Sequence, residues 1–193
     1  MADSLDFDKS SDEELLKLTL KNQDLFLYLI RRYEKKLLFY ILRITSVRPE
    51  EAEDMLQEVF IKAYLNLNNF DPTLRFSSWI YRIAHNEVIS QYRRRQARPQ
   101  TVELDIQNGN WEHLATDLNL EKQTDQAILK NKVQEMLAGL DIKYREVLIL
   151  KFLEDKSYQE ISDILKKPLG TVASLINRAK EQLRQKLDHN IKT

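Results

Sequence analysis

The stretch "SYQEISDILKKPLGTVASLINRAKEQLRQKL", residues 157–187, decides the fold of the C-terminal part of the chain. It opens with Ser157 and Glu160 in the S-x-x-E spacing of a capping box and continues as two amphipathic segments separated by "KKPLG". A short helix, a glycine-containing turn and a second helix of equal or greater length form a helix-turn-helix motif. An ordinary helical hairpin is the alternative, but the basic residues beyond the tight turn favour DNA binding.

The apolar spacing predicts how the two helices of this motif pack. Ile161, Ile164 and Leu165 are expected to pack against Val172, Leu175 and Ile176, and Leu169 is expected to plug the turn. The outward positions of the second helix are small, polar or basic: Thr171, Ala173, Ser174, Asn177, Arg178 and Lys180. Such side chains reach base edges and phosphates in a major groove.

The composition predicts an all-α, intracellular protein. Only three glycines and four prolines occur in 193 residues, too few for the turns of a sheet protein. The absence of cysteine excludes disulfides, thiolate zinc sites and cysteine nucleophiles. No apolar run is long enough to span a membrane, and the acidic N-terminus does not resemble a signal peptide. We therefore expect a cytoplasmic protein.

Acidic and basic residues are segregated along a chain whose formal net charge is zero. Residues 75–98 contain six arginines against one glutamate, and residues 166–193 contain seven lysines and arginines against two acidic residues. Residues 48–58 and 101–126 are acidic. Two basic patches separated by an acidic segment indicate two anion-facing surfaces, although solvated helix faces would give a similar pattern.

Periodicity and helix-boundary residues predict two helical domains of four helices each. We place the first domain at residues 1–97, a flexible acidic linker at 98–123 and the second domain at 124–193. Ser11, Pro49 and Ser77 are expected to start three helices, and Gly139 to end one. Two buried stripes are predicted, one of Leu25, Leu29, Tyr33, Leu37 and Ile41 and one of Met55, Val59 and Ala63.

The arginine-ended helix, residues 77–98, combines aromatic and basic residues. Arg82, Asn86 and Arg93 are predicted on its outward stripe, and Trp79 in its first turn follows a loop with Phe70, Arg75 and Phe76. Aromatic side chains beside arginines suit an unstacked base as well as a phosphate backbone. A core position for Trp79 is the alternative.

The acidic helix that begins at Pro49 places Asp54, Gln57 and Glu58 on one face, by their i+3 and i+4 spacing. This face suits a basic protein partner better than DNA. A metal hydrolase using Glu53, Asp54, Glu58 and His85 is a further alternative. No second ligand-bearing helix, nucleophile motif or phosphate loop supports it, so we expect no enzyme, metal or cofactor.

Two long segments resemble a known family. "EEAEDMLQEVFIKAYLNLNNFDPTLRFSSWIYRIAHNEVISQYRRR", residues 50–95, resembles region 2 of bacterial RNA polymerase sigma factors, and residues 140–187 resemble their region 4. The lack of other conserved sigma segments is similar to the extracytoplasmic-function group. A stand-alone helix-turn-helix regulator is the alternative, but it leaves the first domain without a role.

The resemblance implies partners and site residues. Asp54, Gln57 and Glu58 match positions that bind the clamp helices of the polymerase largest subunit. The matching −10 promoter positions are Asn69, Phe70, Arg75, Phe76, Trp79, Arg82 and Asn86, with Arg93 beyond them, and the −35 positions are Lys167, Thr171, Ser174, Asn177, Arg178 and Lys180. The flap of the second-largest subunit and an anti-sigma factor are further implied partners. Ala173 and Leu175 stand where the family often has basic residues, which predicts weaker −35 binding.

Overall fold

The chain folds as helices throughout the part that the structure describes. This computed structural model describes residues 7, 10–97, 133 and 135–191, and every regular element within those ranges is helical. The predicted all-α class is therefore confirmed. The linker predicted at residues 98–123 lies outside the described residues, as does most of the helix predicted to follow it.

Four α-helices form an N-terminal bundle: α1 (Asp12–Thr19), α2 (Phe26–Thr45), α3 (Pro49–Leu65) and α4 (Phe76–Ala97). Short 3₁₀ turns at Gln23–Leu25 and Leu67–Asn69 connect α1 to α2 and lead out of α3. Helix α2 packs against both α3 and α4, and α3 packs against α4. The loop after α3 connects it to the start of α4, where several of the candidate DNA-binding residues lie.

The sequence signals of α1 and α2 are largely confirmed. The Ser11 hydroxyl accepts from the Glu14 amide at 3.2 Å, and the Glu14 carboxylate accepts from the Ser11 amide at 2.9 Å, which completes a capping box. Four members of the predicted α2 stripe are buried: Leu29, Tyr33, Leu37 and Ile41. The prediction was wrong for Leu25, which lies in the preceding 3₁₀ turn and is only half-buried.

Helix α3 begins at the predicted residue, whereas α4 begins one residue before the predicted one. Pro49 is the first residue of α3, where a missing amide proton costs nothing, and Met55, Val59 and Ala63 are buried. Helix α4 begins at Phe76, so Ser77 is its second residue and not its cap. The carbonyl of Arg75 already accepts from the amide of Trp79 at 3.1 Å, which starts the helix one residue earlier than predicted.

A C-terminal bundle follows. Residues 135–138 are helical and end at Gly139 as predicted. The chain then forms α5 (Ile142–Leu148), a π turn (Ile149–Leu153), α6 (Tyr158–Leu165) and α7 (Leu169–Ile191). The Asp141 side chain caps α5 by accepting from the Lys143 amide at 3.1 Å. The π turn leaves Phe152 exposed, and the Lys180 ammonium of α7 lies 5.1 Å from the centre of its ring.

Helices α6 and α7 form the predicted helix-turn-helix, with a different turn. Ser157 and Glu160 make the capping box of α6. The residue with left-handed backbone is Lys166, at φ 51°, whereas Gly170 lies in the first turn of α7. Leu169 is 48% exposed, so the prediction that it plugs the turn was wrong. The predicted packing is confirmed, since the six apolar residues named for it are buried or packed against the core.

The two bundles pack against each other. Helix α4 lies along α6, and α2 contacts α5 and the π turn. Buried apolar residues of both bundles belong to one continuous core. The helix-turn-helix is therefore held against the arginine-ended helix.

Candidate nucleic-acid and protein interfaces

The start of α4 carries an aromatic cluster that is mostly inside the protein. Phe76 is fully buried and Trp79 is 8% exposed. The Trp79 ring meets Phe70 edge-on at 5.4 Å and Phe76 at 5.7 Å between ring centres. Phe70 is half-buried at the rim of this cluster. In this conformation Trp79 and Phe76 are core residues, and Phe70 is the aromatic side chain of the cluster that reaches the surface.

Two arginines predicted to contact the −10 element are engaged by the C-terminal bundle. The Arg82 guanidinium donates from Nε to the carbonyl oxygen of Asp163 on α6 at 2.8 Å. Arg75 lies 3.5 Å from the Glu160 carboxylate, although its own side chain is 75% exposed. Burial raises the pKa of Glu160, but hydrogen bonds from Ser157 and the charges of Lys156 and Arg75 outweigh it, so the net pKa is lowered. Glu160 is therefore a charged acceptor at the edge of α4.

The other residues of the −10 set are open to solvent. Asn69 lies at the end of the 3₁₀ turn after α3, and Asn86 and Arg93 lie on α4; all three are exposed. The structure thus brings the predicted −10 residues to one end and one side of α4, as expected from their spacing. Three groups result: the buried aromatic cluster, two arginines in contact with α6, and the exposed residues Asn69, Asn86 and Arg93.

The outward face of α7 is accessible as the sequence predicted. Thr171, Ser174, Asn177, Arg178 and Lys180 are all exposed, and Lys167 in the turn is half-buried. The Ser174 hydroxyl donates to the Gly170 carbonyl at 2.9 Å, so it is held close to the helix backbone. Leu175 packs against the core, and Ala173 is half-buried. This surface is open to solvent and is basic at its C-terminal end.

A separate face of α3 is acidic and apolar together. Asp54, Gln57 and Glu58 are exposed along it as predicted. Sequence reasoning missed its continuation, where Ile61 is 51% exposed, Tyr64 38% and Leu65 70%. The i, i+4 repeat of Gln57, Ile61 and Leu65 could have revealed this, since these positions fall on the polar side of the buried stripe. Exposed apolar residues beside carboxylates are typical of a protein-binding surface.

Two buried glutamates of the C-terminal bundle bind side chains of the N-terminal bundle. The Glu146 carboxylate pairs with His85 of α4 and accepts from the Tyr40 hydroxyl of α2 at 3.2 Å. The Glu154 carboxylate pairs with Arg43 at 2.8 Å and accepts from the Tyr81 hydroxyl at 2.6 Å. Their side chains are only 4% and 7% exposed. Sequence reasoning missed both glutamates, because nothing local distinguishes them from solvated ones.

The tyrosines in these contacts are fixed as proton donors. Burial raises the pKa of Tyr40 and of Tyr81, and the neighbouring carboxylates Glu146 and Glu154 raise it further. Both hydroxyls therefore stay protonated and donate to carboxylates that can only accept. Each buried glutamate thus has two donors from the opposite bundle, which satisfies the requirement that buried charges be paired and hydrogen-bonded.

Arg145 extends the interface at the far end of α2. It donates to the Ile44 carbonyl at 2.6 Å and to the Leu137 carbonyl at 2.9 Å, and burial lowers its pKa. It also lines a cavity of about 230 Å³ between the bundles, together with Ile44, Val47, Met55, Tyr92 and Leu140 among others. Its guanidinium therefore joins two backbone segments across the bundle interface, the end of α2 and residues 137–140.

The arrangement gives no support to the metal hydrolase alternative. His85 contacts Glu146, whereas Asp54 and Glu58 face solvent on α3. Within residues 7, 10–97, 133 and 135–191 no group of three or more metal-ligating side chains comes together. None of the helices that the structure describes is long and apolar enough to cross a membrane.

A helix-turn-helix bundle joined to a bundle with an arginine-ended helix defines a two-domain DNA-binding protein, and comparisons identify its class. Residues 29–98 match the family description "Sigma-70 region 2", and residues 130–183 match "Sigma-70, region 4". The ECF RNA polymerase sigma factor SigW of Bacillus subtilis is 35% identical over 173 residues, covering 86% of this chain and 90% of the relative. The ECF RNA polymerase sigma-E factor of Escherichia coli K12 is 32% identical over 182 residues, covering 92% and 94%.

Solved structures share the fold. The structure of CnrH in complex with the cytosolic domain of CnrY matches with a TM-score of 0.69 at 24% identity, over 93% of this chain and 99% of that one. The sigma factor RpoE of Bartonella quintana, in complex with the anti-sigma factor NepR, matches with a TM-score of 0.61 at 20% identity, over 84% and 96%. The chain belongs to the extracytoplasmic-function group of RNA polymerase sigma factors. It is a promoter-directing subunit of transcription initiation, and the stand-alone regulator alternative is not favoured.

Proposed function

We propose that this sigma factor divides its work among three surfaces. Asp54, Gln57 and Glu58 on α3 bind the clamp helices of the polymerase core. Helix α4 and the loop before it melt and read the −10 element, and α7 reads the −35 element as duplex. The domain boundaries proposed with this assignment are residues 1–97 and 124–193, and the protein acts in the cytoplasm without catalytic activity of its own.

The observation that carries this proposal is the separation of the acidic face from the basic ones. The exposed carboxylates of Asp54 and Glu58 lie on α3, whereas the exposed cations Arg93 and Arg178 lie on α4 and α7. Carboxylates repel DNA phosphates and attract a basic protein surface. One chain can therefore contact polymerase and promoter at the same time.

The −35 assignment is supported by the exposed polar face of α7. Arg178 and Lys180 supply phosphate contacts, and Asn177 and Ser174 supply donors and acceptors for base edges. The −10 assignment draws support from Asn69, Phe70 and Asn86, which reach the surface beside Arg75 and Arg82. Phe70 is the aromatic side chain of that site with an exposed edge, so we assign base stacking to Phe70 before Trp79.

Protein partners beyond the clamp helices are also proposed. We assign the exposed Phe152 and Leu153 of the π turn to the flap of the second-largest polymerase subunit, since both side chains are apolar and more than 40% exposed. The similar structures of CnrH and RpoE are complexes with CnrY and the anti-sigma factor NepR. By that likeness we propose that an anti-sigma factor binds this chain too.

Run-off transcription with bacterial core polymerase freed of its own sigma factor tests the proposal. The template is a promoter library randomised at the −10 and −35 elements. We expect discrete start sites that share a two-part motif. The Asn86→Ala variant is expected to lose −10 selectivity but to keep core affinity, and Asp54→Ala is expected to do the reverse. The exposed neighbour Glu53→Ala is the control for Asp54→Ala. Failure to bind core or to start transcripts would refute the assignment for that polymerase.

A further inference from the structure

Leu169 is the residue of the helix-turn-helix whose exposure the function proposed above leaves unexplained. We propose that Leu169 determines specificity within the −35 element, by packing its side chain against the C5 methyl group of a thymine in the major groove. The inference rests on the assignment of α7 to the −35 duplex and deepens it. It adds an apolar contact, and with it a preferred base pair, to a surface whose other assigned contacts are polar or basic.

Leu169 lies at the end of α7 that enters the groove. It is the first residue of α7 and is 48% exposed, whereas Val172 and Ile176 on the same helix are fully buried. In helix-turn-helix proteins the second helix lies in the major groove and its N-terminal residues contact base edges. An apolar side chain that stays out of the core at this position is therefore placed against bases.

The turn before α7 fixes Leu169 in its outward position. The Ser162 hydroxyl donates to the Lys167 carbonyl at 2.6 Å, and the Lys167 amide donates to the Ser162 carbonyl at 3.2 Å. The Pro168 carbonyl then accepts from the Val172 amide at 3.0 Å, and the proline ring restricts its own backbone. The main chain that leads into Leu169 is thus held by both helices. Because little ordering is left for the binding step, the contact favours affinity.

The neighbours of Leu169 leave it accessible to a base pair. Gly170 follows it, and a Cβ atom at that position would have open space around it. Ala173 lies one helical turn further on and carries only a methyl group. A base edge can therefore approach this end of α7 closely, because these two positions carry no side chain and one methyl group.

The charge around Leu169 matches DNA. Residues 166–180 contain four lysines and arginines and no acidic residue. Lys166 and Arg178 are exposed, and cations at these positions can contact phosphates and so fix the register of α7 on the duplex. Phosphate contacts carry no sequence information, whereas an apolar contact with a base edge does. Leu169 therefore supplies selectivity where its charged neighbours supply position.

Thymine is the base that offers an apolar group in the major groove. Its C5 methyl group lies there, whereas guanine, cytosine and adenine are distinguished by hydrogen-bond donors and acceptors. A leucine satisfies none of these polar groups, and covering one without pairing it is unfavourable. The side chain therefore selects thymine over the other three bases. Burial of one methyl group is worth about fourfold in a binding constant.

Exposure alone does not assign a function to a leucine, because apolar side chains are common on protein surfaces. Leu187, which is 37% exposed near the other end of α7, is an example. Leu169 differs from Leu187 in three respects. It lies at the end of α7 that enters the groove, it follows a fixed turn, and it is surrounded in sequence by cations without carboxylates.

Deoxyuridine tests the contact, since it pairs like thymine but lacks the C5 methyl group. Holoenzyme is assembled from polymerase core and the full chain, and its affinity for the promoter that the run-off library returns is measured by competition with labelled promoter. Each thymine of the −35 element is replaced by deoxyuridine in turn, on both strands. For the parent protein we expect replacement of the contacted thymine to weaken binding about fourfold.

The Leu169→Ala variant identifies the side chain that senses the methyl group. It is expected to bind the thymine promoter about fourfold less tightly than the parent and to bind the deoxyuridine promoter equally well as the thymine one. An effect of deoxyuridine on the shape of the duplex would survive this substitution, whereas a methyl contact with Leu169 would not. Leu169→Met, which keeps an apolar side chain of similar size, is expected to retain the discrimination. Leu187→Ala, which also truncates an exposed leucine of α7, is the matched control and is expected to retain it too.

Several results would overturn the inference and leave the proposed function intact. These are a −35 motif without thymine on either strand, a parent holoenzyme that is indifferent to every replacement, and a Leu169→Ala holoenzyme that keeps the parent's discrimination. If Leu169→Ala keeps the discrimination but weakens binding to polymerase core, Leu169 contacts protein and not DNA. A holoenzyme that starts no transcripts from a shared −35 motif would instead refute the proposed function, and the inference with it.

Discussion

Arg43 and Glu154, which are 111 residues apart in the sequence, form an ion pair of 2.8 Å between the two bundles. The second oxygen of Glu154 accepts from the Tyr81 hydroxyl at 2.6 Å. Each oxygen of this carboxylate thus has its own donor, one charged and one neutral. Because the Glu154 side chain is only 7% exposed, water cannot replace either donor while the bundles remain in contact.

The energetic consequence is a strong coupling between these two residues. In a double-mutant cycle of Arg43→Ala and Glu154→Ala, we expect a coupling of about 1–3 kcal/mol in the free energy of unfolding, measured in urea, because Arg43→Ala leaves a buried charge with one neutral donor. The exposed pair Arg48 and Glu51, 3.4 Å apart, is the control, with an expected coupling of no more than about 0.5 kcal/mol. Equal coupling in both pairs would contradict the assigned role of burial.

The buried carboxylate of Glu87 makes the free energy of unfolding depend on pH. Glu87 on α4 has a side chain that is 2% exposed and pairs with Lys62 of α3. Burial raises its pKa, but hydrogen bonds from Lys62 and Gln91 and the charges of Lys62 and Arg94 outweigh this and hold the pKa below its usual 4.5. A lowered pKa in the folded state means that Glu87 stabilises the fold fully above the unfolded-state pKa, and that this stability is lost as pH falls through the folded-state pKa.

We therefore expect Glu87→Gln to be less stable than the parent protein at pH 7 and the difference to shrink below about pH 4.5. Urea unfolding followed by circular dichroism from pH 3 to pH 7 measures this. Glu53→Gln, which removes an exposed carboxylate from α3, is the control. A stability difference for Glu87→Gln that stays constant over this range would show that the pair with Lys62 carries no pH-dependent stability.

Local signals predicted the helices well because their causes are local. The capping boxes at Ser11 and Ser157, the first position of Pro49 in α3 and the apolar stripes all depend on residues within one or two helical turns. The exceptions have local reasons as well. Lys166, and not a glycine, takes the left-handed backbone of the helix-turn-helix, and a 3₁₀ turn removes Leu25 from the α2 stripe.

The bundle interface could not be predicted in this way. Glu146 and Glu154 find partners 61 to 111 residues away, and a glutamate in an amphipathic segment is ordinarily solvated. Trp79 illustrates the same limit at the site, since its burial against Phe70 and Phe76 depends on how the loop before α4 folds back. The exposed positions Asp54, Asn86 and Arg178 were predictable because helical spacing alone decides which side they face.

The α7 surface allows the proposed −35 contact to be strengthened. Ala173 is half-buried beside exposed Ser174, whereas Leu175 packs against the core. Ala173→Lys is expected to raise affinity for −35 duplex and to steepen its dependence on salt by about one ion, because one more phosphate is neutralised. Leu175→Lys is expected to destabilise the bundle by about 2 kcal/mol or more, since it removes a packed apolar side chain.

Fluorescence anisotropy at several salt concentrations gives the slope, and thermal unfolding gives the stability. Lys35→Ala, on α2 and away from α7, is the control for a nonspecific effect of net charge. An Ala173→Lys variant whose affinity rises without any change in slope would show that the new lysine acts other than through a phosphate.

We expect the apolar end of the α3 face to contribute as much to binding of the polymerase core as its acidic end does. Leu65 is 70% exposed in the free protein, and it follows Gln57 and Ile61 at helical spacing. Apolar side chains at the centre of a protein interface supply affinity, while the charged rim steers the encounter. Leu65→Gln is therefore expected to weaken binding to polymerase core about tenfold, mainly through faster dissociation, and to change the free energy of unfolding by less than about 0.5 kcal/mol.

Surface plasmon resonance on immobilised core separates the association rate from the dissociation rate. The control is Leu187→Gln on α7, which also replaces an exposed leucine. Unchanged dissociation for Leu65→Gln beside a clear loss for Asp54→Ala would restrict the polymerase-binding surface to the acidic end of α3.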